Sequence, residues 1–182
     1  TSRMQVAAIL SAFSFKKFRC VVDVGGGQGF FLSALLSKYP GMKGILSDLP
    51  RVVGNPAKLP PDFGGRLKVE AGSFFETIPE GGDLYTLKNI LHGWSDDDCL
   101  KILGNIRKVI GGEGKIMIIE AIVEGRNKPS WGKMSDIFMM AGPDGKERTR
   151  EEFRVLLEKS GFRIERIIRT VSPLNLITAA PK

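Results

Sequence analysis

The chain is poor in histidine and cysteine and has no long apolar run. His92 is its one histidine, and Cys20 and Cys99 are its two cysteines. Neither cysteine has metal-ligand spacing, and a disulfide scaffold is not expected in a chain of 182 residues. No apolar stretch approaches the roughly 20 residues that a membrane span needs. The first residues, TSRMQVAAIL, lack the basic-then-apolar pattern of a secretory leader. A reducing cytoplasm and no membrane partner are the expectations. The start at Thr1 in place of Met adds the expectation of a piece, or a processed product, of a longer protein. A Walker-type Lys-Ser/Thr motif is missing, which argues against ATP hydrolysis. The net charge is +7, yet there is no basic stripe interleaved with aromatics. Lys16, Lys17 and Arg19 form one small group, and Arg148, Thr149 and Arg150 another. The charge reads as solvated surface, and no nucleic-acid partner is expected.

An apolar fraction of 42% and a charged fraction of 26% fit one globular domain with a real core. Val21 to Val24 reads as a buried strand, the glycines after it as a tight turn, and Phe30 to Lys38 as a helix ended by Tyr39-Pro40-Gly41. KGILSD is a second strand, RLKVEAG and GDLYTLK a third and fourth, and GKIMIIEAI a fifth. Between the last two, SDDDCLKILGNIRKVI is an amphipathic helix with Leu100, Leu103, Ile106 and Ile110 on one side. Ser95 caps it, and its aspartates favour the positive end of the helix dipole. TREEFRVLLEKSGF is another helix, with Thr149 and Glu152 as a capping box and Gly161 as its stop. RIERIIRT and NLITAAP read as an antiparallel pair at the sheet edge, and GNPAKLPPDFGG and EGRNKPSWGK as loops. Alternating strands and helices imply an α/β fold, a doubly wound sheet with ligands at the carboxyl ends of its strands.

Gly25, Gly26, Gly27 and Gly29 let a ligand approach the backbone after the first strand. Asp48 ends the second strand, placed to accept both hydroxyls of a ribose. A tight turn without a ligand is the plain alternative. The dinucleotide pattern G-x-G-x-x-G, begun at Gly25, would need glycine where Phe30 stands. Asp23, just before the glycines, suits a cationic ligand better than a pyrophosphate. S-adenosylmethionine (SAM), with an adenosine, a sulfonium and an amino-acid tail, fits these features.

The stretches VVDVGGGQGFFLSALLSKYPGMKGILSDLPRVV, LKNILHGW and GKERTREEF resemble, in order, the SAM-dependent O-methyltransferases of the caffeic acid and hydroxyneurosporene type. The resemblance runs from about Met4 to the C-terminus. It implies a Rossmann-like class I methyltransferase sheet of seven strands with the last antiparallel. It also implies SAM as cofactor, S-adenosylhomocysteine (SAH) as product, no metal, and a small hydroxylated, usually aromatic acceptor. Carried over by position, Gly25 and Gly27 border the amino-acid tail of SAM, Asp48 holds the ribose with Leu49 beside it, and Ser73 and Phe74 line the adenine. Lys88 falls on a cofactor-contacting position, with a solvated strand end as its alternative. Trp94 packs against the adenine or is an ordinary core aromatic. Met134, Phe138 and Met140, in MSDIFMMAGPDG, line the acceptor pocket or face the core, and Met4 lies on a helix bordering that pocket. Members also carry an N-terminal helical domain that dimerises and closes part of the pocket. Residues 1–182 are expected to be a single catalytic domain without it, entered by a lead-in helix over 1–18. Homodimerisation, a property of full-length members, stays open for this chain.

Alone, a single histidine reads as structural. Within LKNILHGW the resemblance makes His92 the general base, taking the proton of an acceptor hydroxyl. A free imidazole titrates near pH ~6.5, so it is largely neutral at pH 7. Glu120 and Glu147 match the two carboxylates flanking that base; one can hold the ring's donor nitrogen and both can stabilise the imidazolium. Two positions depart from the family. Ser73 stands where an acid is usual, which is expected to weaken SAM binding by ~1 kcal/mol. Gly93 stands where Asp or Asn is common, so the base is expected to be less firmly held. Two other functions compete. A nucleic-acid base methyltransferase would need an Asn/Asp-Pro-Pro-aromatic motif where LKNILHGW stands. A SAM-binding module without catalysis is favoured by Ser73 and Gly93 and opposed by the intact His92, Glu120 and Glu147.

Overall fold

The computed structural model describes residues 2–123 and 145–182. Its centre is a seven-stranded sheet. In chain order the elements are α1 (Ser2–Ala12), β1 (Cys20–Val24), α2 (Phe30–Lys38), β2 (Lys43–Asp48), α3 (Pro50–Val53), β3 (Leu67–Ala71), β4 (Leu84–Lys88), α4 (Asp96–Val109) and β5 (Lys115–Glu120). They continue with β6 (Ile122–Val123), β7 (Arg148–Thr149), α5 (Arg150–Lys159), β8 (Phe162–Arg169) and β9 (Asn175–Pro181). The strand order is β3-β2-β1-β4-β5-β9-β8. β9 runs antiparallel to both β5 and β8, as expected for the last strand. β6 and β7 form a small parallel pair outside this sheet.

Side-chain alternation along the strands assigns each residue to one of two cores. Val22, Val24, Tyr85, Leu87, Ile116 and Ile118 face Ile102, Leu103 and Ile106 of α4 and Phe153, Leu156 and Leu157 of α5. Val21, Leu46, Leu84, Met117 and Ile119 face Val6 and Ile9 of α1 and Phe31, Leu32, Leu35 and Leu36 of α2. Strands buried on both faces need continuous apolar runs, which explains CVVDV and KIMIIE. Edge strand β3 is mostly exposed and carries Lys68 and Glu70, charges that discourage pairing with another chain.

Both expected caps form: Ser95 accepts from the Asp98 amide, and Thr149 and Glu152 make a reciprocal capping box. Two details differ from expectation. The buried stripe of α4 includes Cys99 and Ile102, while Leu100 is only partly buried. The lead-in helix ends at Ala12 instead of reaching 18. Beyond it Phe13, Phe15 and Phe18 pack on one another, and Phe15 is fully buried. Burying these rings favours a turn over further helix.

The strand order reverses between β1 and β4. Their carboxyl ends therefore diverge into a crevice, the place where open α/β sheets bind ligands.

Candidate active site

The first wall of the crevice is the glycine turn. Gly25 and Gly27 have φ of 68° and 60°, the left-handed region that favours glycine. The Gly25 amide donates to the Ser47 carbonyl at 2.8 Å, which ties the turn to β2. The amides of Gly27 and Leu49 donate to Asp48 Oδ2 and Oδ1, each at 2.7 Å. The Asp48 carboxylate is thus fixed by one donor per oxygen, and each oxygen keeps a lone pair for a diol. A Cβ at Gly25 would lie 2.5 Å from Ile90 Cδ1 and 3.4 Å from Phe74 Cε1, whereas at Gly27 nothing lies within 4 Å. Gly25 therefore serves close packing, and Gly27 faces open space that a ligand can use.

Behind the turn, Asp23 is 1% exposed and accepts from Thr86 Oγ1 at 2.7 Å. Burial pushes its carboxyl up to about 6. Lys88, half-buried at the end of β4, has its ammonium pKa lowered by burial and partly restored by the charge of Asp23. A half-buried cation thus ends β4, and a buried acid lies behind the glycine turn.

The second wall is aromatic. Phe74, Phe75 and Trp94 meet edge-to-face, with centroids 4.9 Å (Phe74–Phe75), 5.8 Å (Phe74–Trp94) and 4.8 Å (Phe75–Trp94) apart. Trp94 is therefore a packing partner of the loop that includes Ser73 and Phe74. Ser73 Oγ accepts from the Phe75 amide at 3.3 Å, so part of its acceptor capacity is spent inside its own turn. Asn105 of α4 donates to the carbonyls of Phe74 and Phe75 at 3.1 and 3.0 Å. Nothing in the sequence marks Asn105, because its partners lie about 30 residues away.

The third part carries the histidine. Asn89 leaves β4 with φ 54°, a conformation that asparagine tolerates better than most residues. The chain then turns so that the amides of Ile90 and His92 both donate to Glu120 Oε1, at 3.0 and 3.2 Å. Glu120 thus holds the backbone that carries the ring. The second oxygen, Oε2, is buried without a hydrogen-bond partner among the described residues. Burial pushes the Glu120 carboxyl up to about 7. Glu147, 6% exposed, faces the ring itself: His92 Nδ1 lies 3.5 Å from its Oε1, long for a hydrogen bond but within ion-pair range. The Glu147 carboxylate raises the His92 pKa above its usual value, against the opposing effect of burial.

Arg148, placed by its sequence neighbours in a solvated basic group, is instead 1% exposed. It donates to the carbonyls of Leu91 and Trp94 at 2.7 and 2.9 Å and to Asp96 Oδ1 at 2.9 and 2.7 Å. Every nitrogen of the fork thus has an acceptor, which is what permits its burial.

Met134, Phe138 and Met140 lie outside the described residues. Met4 is 76% exposed on α1. Among the described residues, no group of three or more His, Cys, Asp or Glu side chains is placed to hold a metal ion, and no helix is long and apolar enough to cross a membrane.

This sheet order, with a glycine turn and an acid on β2 at its switch point, defines the class I methyltransferase type of fold, and solved structures agree. CalO1, a methyltransferase of calicheamicin biosynthesis in its SAH-bound form, matches with a TM-score of 0.91 and 35% identity over 100% of this chain and 54% of its own. NcsB1, an O-methyltransferase from neocarzinostatin biosynthesis in complex with SAM and 2-hydroxy-5-methyl naphthoic acid, matches with a TM-score of 0.88 and 28% identity, covering 99% of this chain and 54% of its own. In sequence, the phenazine O-methyltransferase PhzM of Lysobacter antibioticus is 37% identical over 180 residues, 97% of this chain and 53% of its own length. The O-methyltransferase domain family matches residues 1–163, and the chain belongs to that family. It spans about half the length of the curated relatives it matches.

Proposed function

We propose that this chain forms the SAM-binding and proton-accepting part of an O-methyltransferase acting on a phenolic or enolic hydroxyl of a small aromatic molecule. The observation that carries the reading is the placement of the lone histidine, with one buried carboxylate at its ring and another under its backbone. Structures of relatives that hold SAM or SAH and an aromatic hydroxy acid support the cofactor and the acceptor class.

The residues present fit the cofactor. Asp48, held by two amides, would take the ribose hydroxyls. Gly27 leaves room beside the turn. Phe74, next to Trp94, would border the adenine, with Leu49 and Ser73 nearby, and Asp23 and Lys88 offer opposite charges to the amino-acid tail. Bound SAM would supply an electrophilic methyl group on a sulfonium, a chemistry that asks for no metal.

The chain's own work is alignment and proton removal. With Nδ1 directed at Glu147, His92 carries its proton there and presents Nε2 as the acceptor. As the acceptor hydroxyl attacks, Nε2 takes its proton, and Glu147 stabilises the resulting imidazolium. Glu120 keeps the turn in place through its two amide bonds. The free cysteines Cys20 and Cys99 suit the cytoplasmic setting that belongs to this proposal.

A second reading, a SAM-binding module without catalysis, is favoured by the hydroxyl of Ser73 being turned into its own loop. One set of experiments separates the two. Calorimetric titration with SAM is expected to show micromolar binding that Asp48→Ala abolishes. Assays against a panel of hydroxybenzoates and hydroxynaphthoates are expected to show transfer that His92→Ala lowers by about 10²–10⁴. Binding without transfer to any acceptor would favour the second reading; no binding by the folded chain would overturn both.

A further inference from the structure

Arg148 and Glu147 are adjacent in sequence but grip the histidine turn from different sides. Glu147 faces the ring at Nδ1. The Arg148 fork closes on the backbone around it: Nη1 on the Leu91 carbonyl, Nη2 on that of Trp94, and Nε with Nη2 on Asp96 Oδ1. The Lys146 amide adds a third tether, donating to the His92 carbonyl at 2.9 Å. The segment is itself anchored, since Arg148 pairs with Ile122 and Thr149 caps α5.

Burying a guanidinium costs desolvation, and its counter-ion is no compensation of the buried kind, because the Asp96 side chain is 53% exposed. The two carbonyls do not need the guanidinium for satisfaction alone, since the buried Cys99 thiol also donates to Leu91 and Trp94, at 3.3 and 3.7 Å, and the Trp94 amide to Leu91 at 3.2 Å. What a planar, rigid fork adds is a fixed distance between several acceptors at once. Gly93 makes such a fixture useful, for no side chain follows the histidine to brace its turn.

We propose that Arg148 is a positioning residue for the base: its guanidinium locks the Leu91–Trp94 turn against the Glu147 segment and so sets the spacing between His92 Nδ1 and Glu147. It acts through His92 and needs no contact with cofactor or acceptor. Its catalytic meaning rests on His92 being the base, while its geometric part does not. Among the described residues, the titratable and charged groups around the ring are Glu147 before β7 and Glu120 on β5, with Asp96, Arg148, Lys146 and the Cys99 thiol around the turn.

The single histidine makes the test direct, because every imidazole resonance of the full chain belongs to His92. Its titration is followed by NMR in the wild type, in Arg148→Lys and in Asp96→Ala. The lysine keeps the charge but cannot span three acceptors. The alanine keeps the fork but loosens it. Arg148→Lys is expected to lower the titration midpoint by about half a pH unit or more, as Glu147 loses its hold on the ring. Asp96→Ala is expected to move it the same way by less. A role confined to folding would lower the melting temperature and leave the midpoint where it was. A folded Arg148→Lys chain with the wild-type midpoint overturns the proposal; if that variant does not fold, an unmoved midpoint in Asp96→Ala overturns it. The wild-type transfer assay is read separately. Shifted midpoints in a chain without transfer would sink the proposed function and leave the positioning role standing.

Discussion

At the scale of single residues, the carboxylates around His92 set its working range. In its proposed role as base His92 must be neutral, and Glu147 raises its pKa, so the acid limb of the rate profile is expected above the ordinary value of ~6.5. Glu147→Gln removes the largest cause of that shift and is expected to move the limb to lower pH while reducing the maximal rate. Rate against pH for both chains checks this, and an unmoved limb would contradict it. The same environment has a cost in stability. Burial raises Asp23 to about 6 and Glu120 to about 7, both above unfolded carboxyls. Between the unfolded and folded pKa the native state binds more protons, so their contribution is full below about 4 and is lost as pH rises through about 6 and 7. His92, also raised, acts in the same sense as pH passes its folded pKa. Asp96 and Glu152, whose pKa values are lowered, act in the opposite sense and only in more acidic solution. Glu120→Gln keeps an oxygen for the two amides and removes the titration. Urea unfolding at about pH 5 and pH 7 is expected to show a smaller loss of stability in the variant than in the wild type; equal losses would show that Glu120 does not carry the effect.

At the scale of elements, α4 supports both halves of the site. Its N-terminus, capped by Ser95, begins where the histidine turn ends, and its Asn105 holds the loop of Phe74 and Phe75. Asn105→Ala sets two magnitudes against each other. The two lost hydrogen bonds cost about 2 kcal/mol, and alanine returns about half a kcal/mol through its better helix propensity. The melting temperature is therefore expected to fall by a few degrees, while SAM affinity falls several-fold as the loop loosens. A variant that binds SAM like the wild type would show that the loop is held by its aromatic packing alone. The capping box at α5 offers a contrast. Thr149→Ala removes the bond that the Glu152 amide donates to the Thr149 hydroxyl, leaves the one that the residue 149 amide donates to Glu152, and is expected to cost about 1 kcal/mol of stability in a denaturation experiment.

At the scale of the whole molecule, the glycine turn, Asp48 and the aromatic loop come from three different strand ends, those of β1, β2 and β3, and are brought together by the sheet. A ligand that bridges them is expected to stabilise the fold as a unit. At about 100 times its dissociation constant, SAM is expected to add about 2.7 kcal/mol, or roughly 5–10 °C in melting temperature for a chain of this size. Asp48→Ala should lose that increment. A melting curve indifferent to SAM would mean that the strand ends do not act together as a binding site.

Much of this architecture is written in local pattern. Alternation and period place β1, β2 and α2, the capping residues mark where α4 and α5 begin, and the run from Val21 to Asp48 carries the glycine turn and its acid in order. These features depend on neighbours within a few residues, and the histidine motif adds a recognisable family. Other features depend on partners far along the chain, which no local pattern encodes. The bond from Arg148 to Leu91 spans 57 residues, and that from Ile90 to Glu120 spans 30. In sequence Arg148 reads as a surface cation two residues from another arginine, and Glu120 and Glu147 as two equivalent acids. Only the packed sheet decided that Arg148 is buried, that Glu147 meets the ring and that Glu120 meets the backbone. Burial makes an unpaired polar group costly, so in the interior each charge must take the partner that the fold brings to it.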